Sequence, residues 1–473
     1  MSPIKTRELA LQDEWDVIII GAGPTGLFAA YEIKKIVPNA DVLIIEMGND
    51  LESRKCPRKE RGACIMCNPC SIVSGFGGAG AFSDGKLNLS REVGGDLAEV
   101  VGSSIDELID YVDKVYLSFG APAKMYGEDR NAVEDLKRRA YKVGMQLIPF
   151  RIRHMGTDGG YIVLGNFRKF LMDRGVEILF NKKVSRIAVE NGQVRGVHLS
   201  DGQFLKAKFV VAAPGRIGSM WLVEEAKRLG IKVDEGRVDL GVRVEVLSEV
   251  MKEFTDVLYE PKLIYYSRTF DDRVRVFCVN PNGEVVTESY FGIVTVNGMA
   301  KEEEKTENTN FAVLVSTKFT YPYKDTISYA LDIAKLANNI AGNQPIIQRL
   351  GDLLRGRRST YERIARSIVK PTLKEAVPGD LSFVLPYRYL KDIVEMLEKM
   401  NEIIPGVYSD QTLLYGVEVK LHTAKLDLKE DLETKNVKGL YAGGDAAGVS
   451  RGLVQASASG VVIGRSISNK IKS

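Results

Sequence analysis

Residues 15–33 read WDVIIIGAGPTGLFAAYEI. Val17 to Ile20 is an apolar run of the kind that fills a buried parallel strand. Gly21, Gly23 and Gly26 follow in GxGxxG order, with Pro24 in the same turn, and Leu27 to Ile36 reads as a helix. A second apolar run, residues 41–45, ends at Glu46. Strand, glycine turn, helix and strand with a terminal acid form the fingerprint of a dinucleotide site. Each residue type has a physical reason. Gly21 permits the tight turn, and Gly23 lets the backbone approach a pyrophosphate. Gly26 lets the helix lie close to the strand. The helix start then offers free N–H groups and a positive dipole end to phosphates. Glu46 can accept hydrogen bonds from a ribose diol.

The far end of the chain points to the kind of dinucleotide. Residues 437–465 read VKGLYAGGDAAGVSRGLVQASASGVVIGR. A short strand runs into Gly443, Gly444 and Asp445, and a glycine- and alanine-rich helix follows from about Leu453. This resembles the second flavin motif of glutathione-reductase-like FAD proteins. The resemblance implies that Asp445 binds the ribityl chain and that the following helix points its N-terminus at the flavin. Residues 207–219, AKFVVAAPGRIGS, resemble a third segment of the same proteins, which brings in Gly215; Pro214 departs from the usual pattern. No second GxGxxG follows a strand, so a separate NAD(P)H-binding domain is not expected.

Between these motifs lies an unusual insert. CPRKERGACIMCNPC, residues 56–70, holds four of the five cysteines in 473 residues. Cys64, Cys67 and Cys70 are spaced C-x2-C-x2-C, with Cys56 nearby. The set suits a [4Fe–4S] cube, zinc or a dithiol exchanging electrons with a flavin. Free thiols without a special role are the plain alternative. Arg54, Lys55, Arg58, Lys59 and Arg61 would offset thiolate charge. Directly after it comes SGFGGAGAFSDGKLN, residues 74–88, with five glycines that include Gly77 and Gly78. Glycine allows close approach of backbone to ligand, so this loop is expected to face the cofactor.

The remainder divides in two. Residues 104–118 and 131–145 read as amphipathic helices, and another starts near Leu164. The run 176–211, with turns at Asn191-Gly192 and Asp201-Gly202, reads as a three-stranded antiparallel meander. From about Arg237 strand-like runs (LGVRVEV, LIYYS, VRVFCVN, GEVVTESY, FAVLVSTKF) precede helices over 325–341, 358–369 and 389–400. The expected fold is α/β. Residues 1–236 and 405–473 form an FAD-binding Rossmann-like domain of glutathione-reductase type, three-layered with the meander. Residues 237–404 form an inserted α+β cap that selects substrate.

Several of these stretches occur in one order: GFGGAGAFSDGKL, HMGTD, VRVFCVNPNGEVV followed by VNGM, NQPIIQRL and GLYAGGDAAG. Together they resemble a family of FAD-dependent dehydrogenases related in fold to other flavoprotein oxidoreductases. The resemblance covers most of the chain and implies FAD and redox chemistry without naming a substrate. Two departures stand out. Cys278 is alone where a second cysteine is expected at Asn280, and the segment after Glu418 carries Lys420 and His422 in place of a Thr/Ser-rich run.

Acid–base candidates are few. His154 lies in HMGTD and His422 precedes the C-terminal flavin motif, while His198 in an alternating strand reads as structural. Lys86 and Asp84 are alternatives in the glycine loop, and Arg451 could stabilise charge on a reduced flavin. Composition sets outer limits. Apolar residues make up 45% and charged residues 27%, with a net charge of +3, so no nucleic-acid partner is expected. No apolar run approaches the ~20 residues that cross a bilayer, and the charged N-terminus lacks a signal-peptide core, so a cytoplasmic location is expected. An FAD-dependent oxidoreductase acting on a small or lipid-like substrate is the leading expectation, with ferredoxin or NAD(P)H as electron partner. A thiol or disulfide reductase and an FAD-dependent RNA-modifying or group-transfer protein are the alternatives.

Overall fold

The computed structural model describes residues 14–61, 65–234, 238–290, 292–301, 304–317, 319, 326–421 and 424–473. Strand β1 (Glu14–Ile20) leads through the glycine turn into helix α1 (Pro24–Ile36) and then β2 (Val42–Ile45). β1 pairs in parallel with β2. Their apolar runs lie at the centre of a seven-stranded sheet, covered on both faces, which is why they do not alternate with polar residues. A short antiparallel ladder, β3 (Lys86–Leu89) with β5 (Arg151–His154), stands beside this sheet, and β4 (Gln146–Ile148) leaves it altogether.

The meander is present, with one difference. β7 (Val184–Glu190), β8 (Gln193–Leu199) and β9 (Phe204–Ala212) are antiparallel neighbours. The start of the predicted run, β6 (Glu177–Leu179), instead pairs in parallel with β2. Strand β9 changes partners along its length. Its first half completes the meander, and its second half joins the parallel sheet between β1 and the strand Leu440–Ala442. The two chain ends therefore meet on one sheet.

Helix α1 and the C-terminal helix Leu453–Lys472 pack side by side on that sheet. A Cβ on Gly460 would lie 2.3 Å from the Thr25 carbonyl, and one on Gly464 would lie 2.8 Å from that of Ala29. The glycine and alanine content of this helix is thus a packing requirement. Thr25 Oγ1 also donates to the Ala456 carbonyl at 2.9 Å, tying the first turns of the two helices.

The second sheet has eight strands. Its centre is Val238–Leu247, flanked by Asn308–Thr317 and Leu413–Leu421. The last of these lies beyond residue 404, so strand pairing carries the second unit to Leu421, and β4 joins the same sheet through Lys262–Tyr266. Val238, Leu240, Val242, Val244 and Val246 face an apolar core with helices Ser248–Leu258 and Tyr387–Asn401. The alternate positions Asp239, Arg243 and Glu245 face the other way. The helix expected over 358–369 shortens to Tyr361–Ala365, and the helix expected from Leu164 already begins at Gly156. Strands Ile293–Met299 and Ile346–Arg349 carried no separate reading in the sequence. Among the described residues no helix is long and apolar enough to cross a membrane.

Two consequences are measurable. Gly460→Val forces a branched side chain against backbone and should cost about 3 kcal/mol or more, read by denaturant unfolding. On helix Tyr387–Asn401, buried Asp392 is raised to about 6, first by burial and then by the neighbouring Asp272 carboxylate, which Arg388 holds ionised. A carboxyl with a raised folded pKa binds protons more tightly when native. Its contribution is present below the unfolded value near 4 and is lost as pH rises towards 6. Asp392→Asn should remove that slope and stabilise the protein at pH 7 by about 1–2 kcal/mol, seen as melts that converge at pH 4.

Candidate functional site: a cavity between the two sheets

A cavity of about 1420 Å³ opens between the carboxyl ends of the first sheet and one face of the second. That is larger than the roughly 300–1,000 Å³ of a drug-sized site, and it lies where open α/β sheets bind ligands. Gly21, Gly23, Pro24, Glu46, Gly78, Gly215, Gly444, Asp445 and Leu453 all line it. Gly26 and Gly77 do not, and both serve packing. A Cβ on Gly26 would meet the Gly21 carbonyl at 2.1 Å, and one on Gly77 would meet Leu164 at 2.5 Å. Gly21 (φ +101°) passes the Ala213 carbonyl at a distance that excludes any side chain. Gly78 (φ +60°) lies against Gly23, so the glycine loop touches the nucleotide turn.

Glu46 does more than the sequence suggested. One carboxylate oxygen accepts the Ala22 N–H at 2.9 Å; the other accepts from Gly48 at 2.8 Å and Gly75 at 2.9 Å. A carboxylate has about four acceptor sites, so one is left for a ribose hydroxyl. Glu46 is first a splice between the nucleotide turn and the glycine loop.

Arg54 is its counterpart. The buried guanidinium donates to the carbonyls of Ser71, Ile72, Phe76 and Gly78 and lies over the Phe82 ring. Burial lowers it to about 10, against the pull of Glu46 and Cys70. The expected role of Arg54 in offsetting clustered thiolates gives way to this one: it clamps the loop backbone.

The cysteines separate. Cys56 lines the cavity, Cys67 is half-buried, and Cys70 is buried, with its carbonyl accepting from Ser74 at the turn into the glycine loop. Cys56 and Cys67 are free thiols, and Cys64 lies outside the described residues. Among the described residues no group of three His, Cys, Asp or Glu could hold a metal ion.

The acid–base candidates also sort themselves. Lys86 is buried, 2.6 Å from Asp84 and 2.7 Å from Glu260, and donates to the Val279 carbonyl. Burial opposes its charge, but the two carboxylates raise its pKa, so it is a fixed cation rather than a proton exchanger. His154 pairs with Lys86 across the β3–β5 ladder and stacks on Tyr259 at 4.3 Å, behind the cavity wall. His422 lies outside the described residues. Arg451 lines the cavity but is held in a two-pronged pair with Asp96. Burial raises the Asp445 carboxyl, opposed by Arg216 and by the Ser450 hydroxyl at 2.8 Å.

Sequence reasoning missed several wall residues. Gly94 and Gly95, in REVGGDL, meet the C-terminal motif, Gly95 bridging to Ser450 and the Gly94 carbonyl accepting the Arg451 N–H at 2.7 Å; their paired glycines were the available signal. Lys262, Arg275 and Lys420 come from the second sheet. Lys262 is lowered by burial and by the nearby Arg275 charge, against Glu260 at 3.2 Å.

Comparison with known proteins agrees with this geometry. Residues 239–421 match a family model described as FAD-dependent protein, C-terminal domain-like. Residues 378–473 match glucose inhibited division protein A, and residues 19–55 match an NAD(P)-binding Rossmann-like domain. A protein of Clostridium beijerinckii, described only as uncharacterized, is 25% identical over 96% of this chain and 80% of its own. Among solved structures, L-proline dehydrogenase from P. horikoshii is 12% identical (TM-score 0.43; 97% of this chain and 95% of that one). A 3-ketosteroid-delta4-(5alpha)-dehydrogenase from Rhodococcus jostii RHA1 is 13% identical (TM-score 0.42; 99% and 100%). The nucleotide turn, the cavity and the match to an FAD-dependent family model over residues 239–421 point to one class: an FAD-dependent protein with a Rossmann-like domain.

The Arg54 clamp is open to test. Arg54→Met leaves four carbonyls without their charged donor and should cost about 2–4 kcal/mol. Arg54→Lys should rescue little, because one ammonium cannot reach four carbonyls. Thermal melts and the flavin content of the purified variants provide the readout.

Proposed function

We propose that the chain holds FAD along the cavity and carries out a two-electron oxidation or reduction of a small molecule against the face of the second sheet. The observation that carries the reading is the continuity of one cavity from the α1 N-terminus to that face. The residues fit the group. The first-turn N–H groups of α1 and of the C-terminal helix have no partners within their helices and start at the cavity wall, so two positive dipole ends are available to phosphate and to an electron-rich ring. Gly21, Gly23 and Gly78 clear a path for a pyrophosphate, the free acceptor site of Glu46 suits a ribose, and Asp445 suits the ribityl hydroxyls. The bound flavin would supply hydride chemistry.

The chain's own part is orientation, charge and exclusion of water. Lys86, fixed as a cation between Asp84 and Glu260, ties the glycine loop to the second sheet through Glu260 and the Val279 carbonyl. The first sheet and its helices act as the cofactor unit, close to glutathione-reductase type, and the second sheet, which takes in β4 as well as strands between Val238 and Leu421, acts as the cap. A relay through the cysteines of 56–70, as an iron–sulfur centre or a dithiol, is a second proposal and rests on Cys56 in the cavity wall. Iron and acid-labile sulfide in anaerobic protein, absent from Cys56→Ser, would support the cluster form.

The principal test is direct. Protein purified without added cofactor should show flavin absorption, release FAD on denaturation, and contain about one FAD per chain. Anaerobic bleaching by members of a substrate panel should then report turnover. Protein that neither carries nor takes up FAD would sink the proposal.

A further inference from the structure

We infer that the second-sheet wall of the cavity is a carboxylate-binding face, in which Arg275, Lys262 and Lys420 recognise a monoanionic organic acid as substrate. This rests on the reading of the same cavity as the flavin site and names the class of molecule that enters it.

The argument begins with strand alternation. The polar positions of five adjacent strands share one face. Across that face Asp239 stands opposite Lys420, and Ile264 stands opposite Arg275. The charges on it are layered. The carboxylates of Asp239, Glu260 and Glu418 are 3, 4 and 0% exposed, whereas Arg275, Lys262 and Lys420 keep 18, 12 and 14%. The acids hold the cations from behind, and the cation heads form the surface that a ligand meets.

The heads are also set apart from ordinary ion pairs. Arg275 is paired with Asp239 through one terminal nitrogen, and its Nε is buried without a hydrogen-bond partner. Lys262 and Arg275 both lie on the Phe277 ring, at 4.6 and 4.8 Å. Two cations sharing one ring repel each other, and this repulsion adds to burial, the larger cause, in lowering the proton affinity of Lys262. Lys420 shares Glu418 with Arg243, which already grips that carboxylate with two nitrogens. An incoming carboxylate would relieve the repulsion and give the unused donors an acceptor, a strong interaction in a low-dielectric cleft. Glu284 and Glu288 line the cavity from the hairpin Glu284–Met299, and the Asn297 amide already engages Glu288.

The test uses calorimetry on the full chain with benzoate and octanoate, against benzamide and octanol as uncharged counterparts. At least one carboxylate should bind a single site at least tenfold more tightly than its counterpart. Arg275→Gln should weaken it at least tenfold, and Lys420→Met several-fold, with flavin content unchanged. Because Arg275→Gln strands buried Asp239, the double variant Arg275→Gln/Asp239→Asn keeps the wall neutral and should show the same loss. Equal binding of the neutral molecules, no binding of either acid, or wild-type affinity in the double variant would each overturn the inference. A flavin-free protein that still binds the acids would count against the FAD reading alone, since heat reports the acid without the flavin.

Discussion

The contact between α1 and the C-terminal helix is the constraint on which the site depends. The two helices run in the same direction with backbone almost on backbone, since Gly460 lies over Thr25 and Gly464 over Ala29. A side chain at either glycine would push the helices apart. Held this close, both helices begin at the same edge of the sheet, and their positive ends converge on one cavity. The sheet repeats the arrangement, with β9 receiving β1 on one side and Leu440–Ala442 on the other. Residues more than 400 positions apart thus build one cradle.

Two buried charges extend that cradle into the loops. Glu46 gathers N–H groups from residues 22, 48 and 75, and Arg54 gathers carbonyls from residues 71 to 78. Donors and acceptors of the same glycine loop are thereby satisfied from opposite sides. Burying a charge is costly unless it is fully hydrogen-bonded, and both groups meet that condition through backbone partners. A glycine loop with so little side-chain packing gains a fixed shape in this way.

The nucleotide half of the fold was legible because its signals are local. GAGPTG, the strand before it and AGGDAAG each state their backbone requirement within a few residues. The dual use of Glu46 was hidden, because nothing near residue 46 announces a contact with residue 75. The second sheet was legible as alternating runs, and its period-2 pattern also marks which residues face the cavity: in VRVFCVN the valines point to the core while Arg275 and Phe277 point out. Its extent was not legible. LLYGVEVKL, residues 413–421, follows a helix and precedes the flavin motif, so chain order assigned it to the nearer domain. Hydrogen bonding to Val238–Leu247, more than 160 residues away, places it in the other sheet. The helix expected from about Leu164 erred in the opposite sense: it begins eight residues earlier, and the glycines of HMGTDGG form the first turns of Gly156–Asp173, where packing against the glycine loop outweighs low helix propensity.

Charge inside the cavity follows from the same alternation. Arg243 and Glu418 are wholly buried and bind each other through two hydrogen bonds, with Asn297, Asn310 and the Cys278 carbonyl taking the remaining donors. A Cβ on Gly298 would strike Asn310, Asn280 and Arg243, so the hairpin must carry glycine there for the network to close. Replacing such a network with apolar side chains is often neutral for stability, so stability alone does not account for keeping it. Its effect is positional. It fixes the Glu418 carboxylate beneath the sheet surface, where Glu418 holds Lys420, while Asp239 and Glu260 hold Arg275 and Lys262 beside it. A reactive site needs its charges in place before the substrate arrives, because reorganising them during reaction would cost much of the electrostatic gain. Here the rigid layer beneath the sheet surface meets that requirement, and the nucleotide half supplies the facing wall.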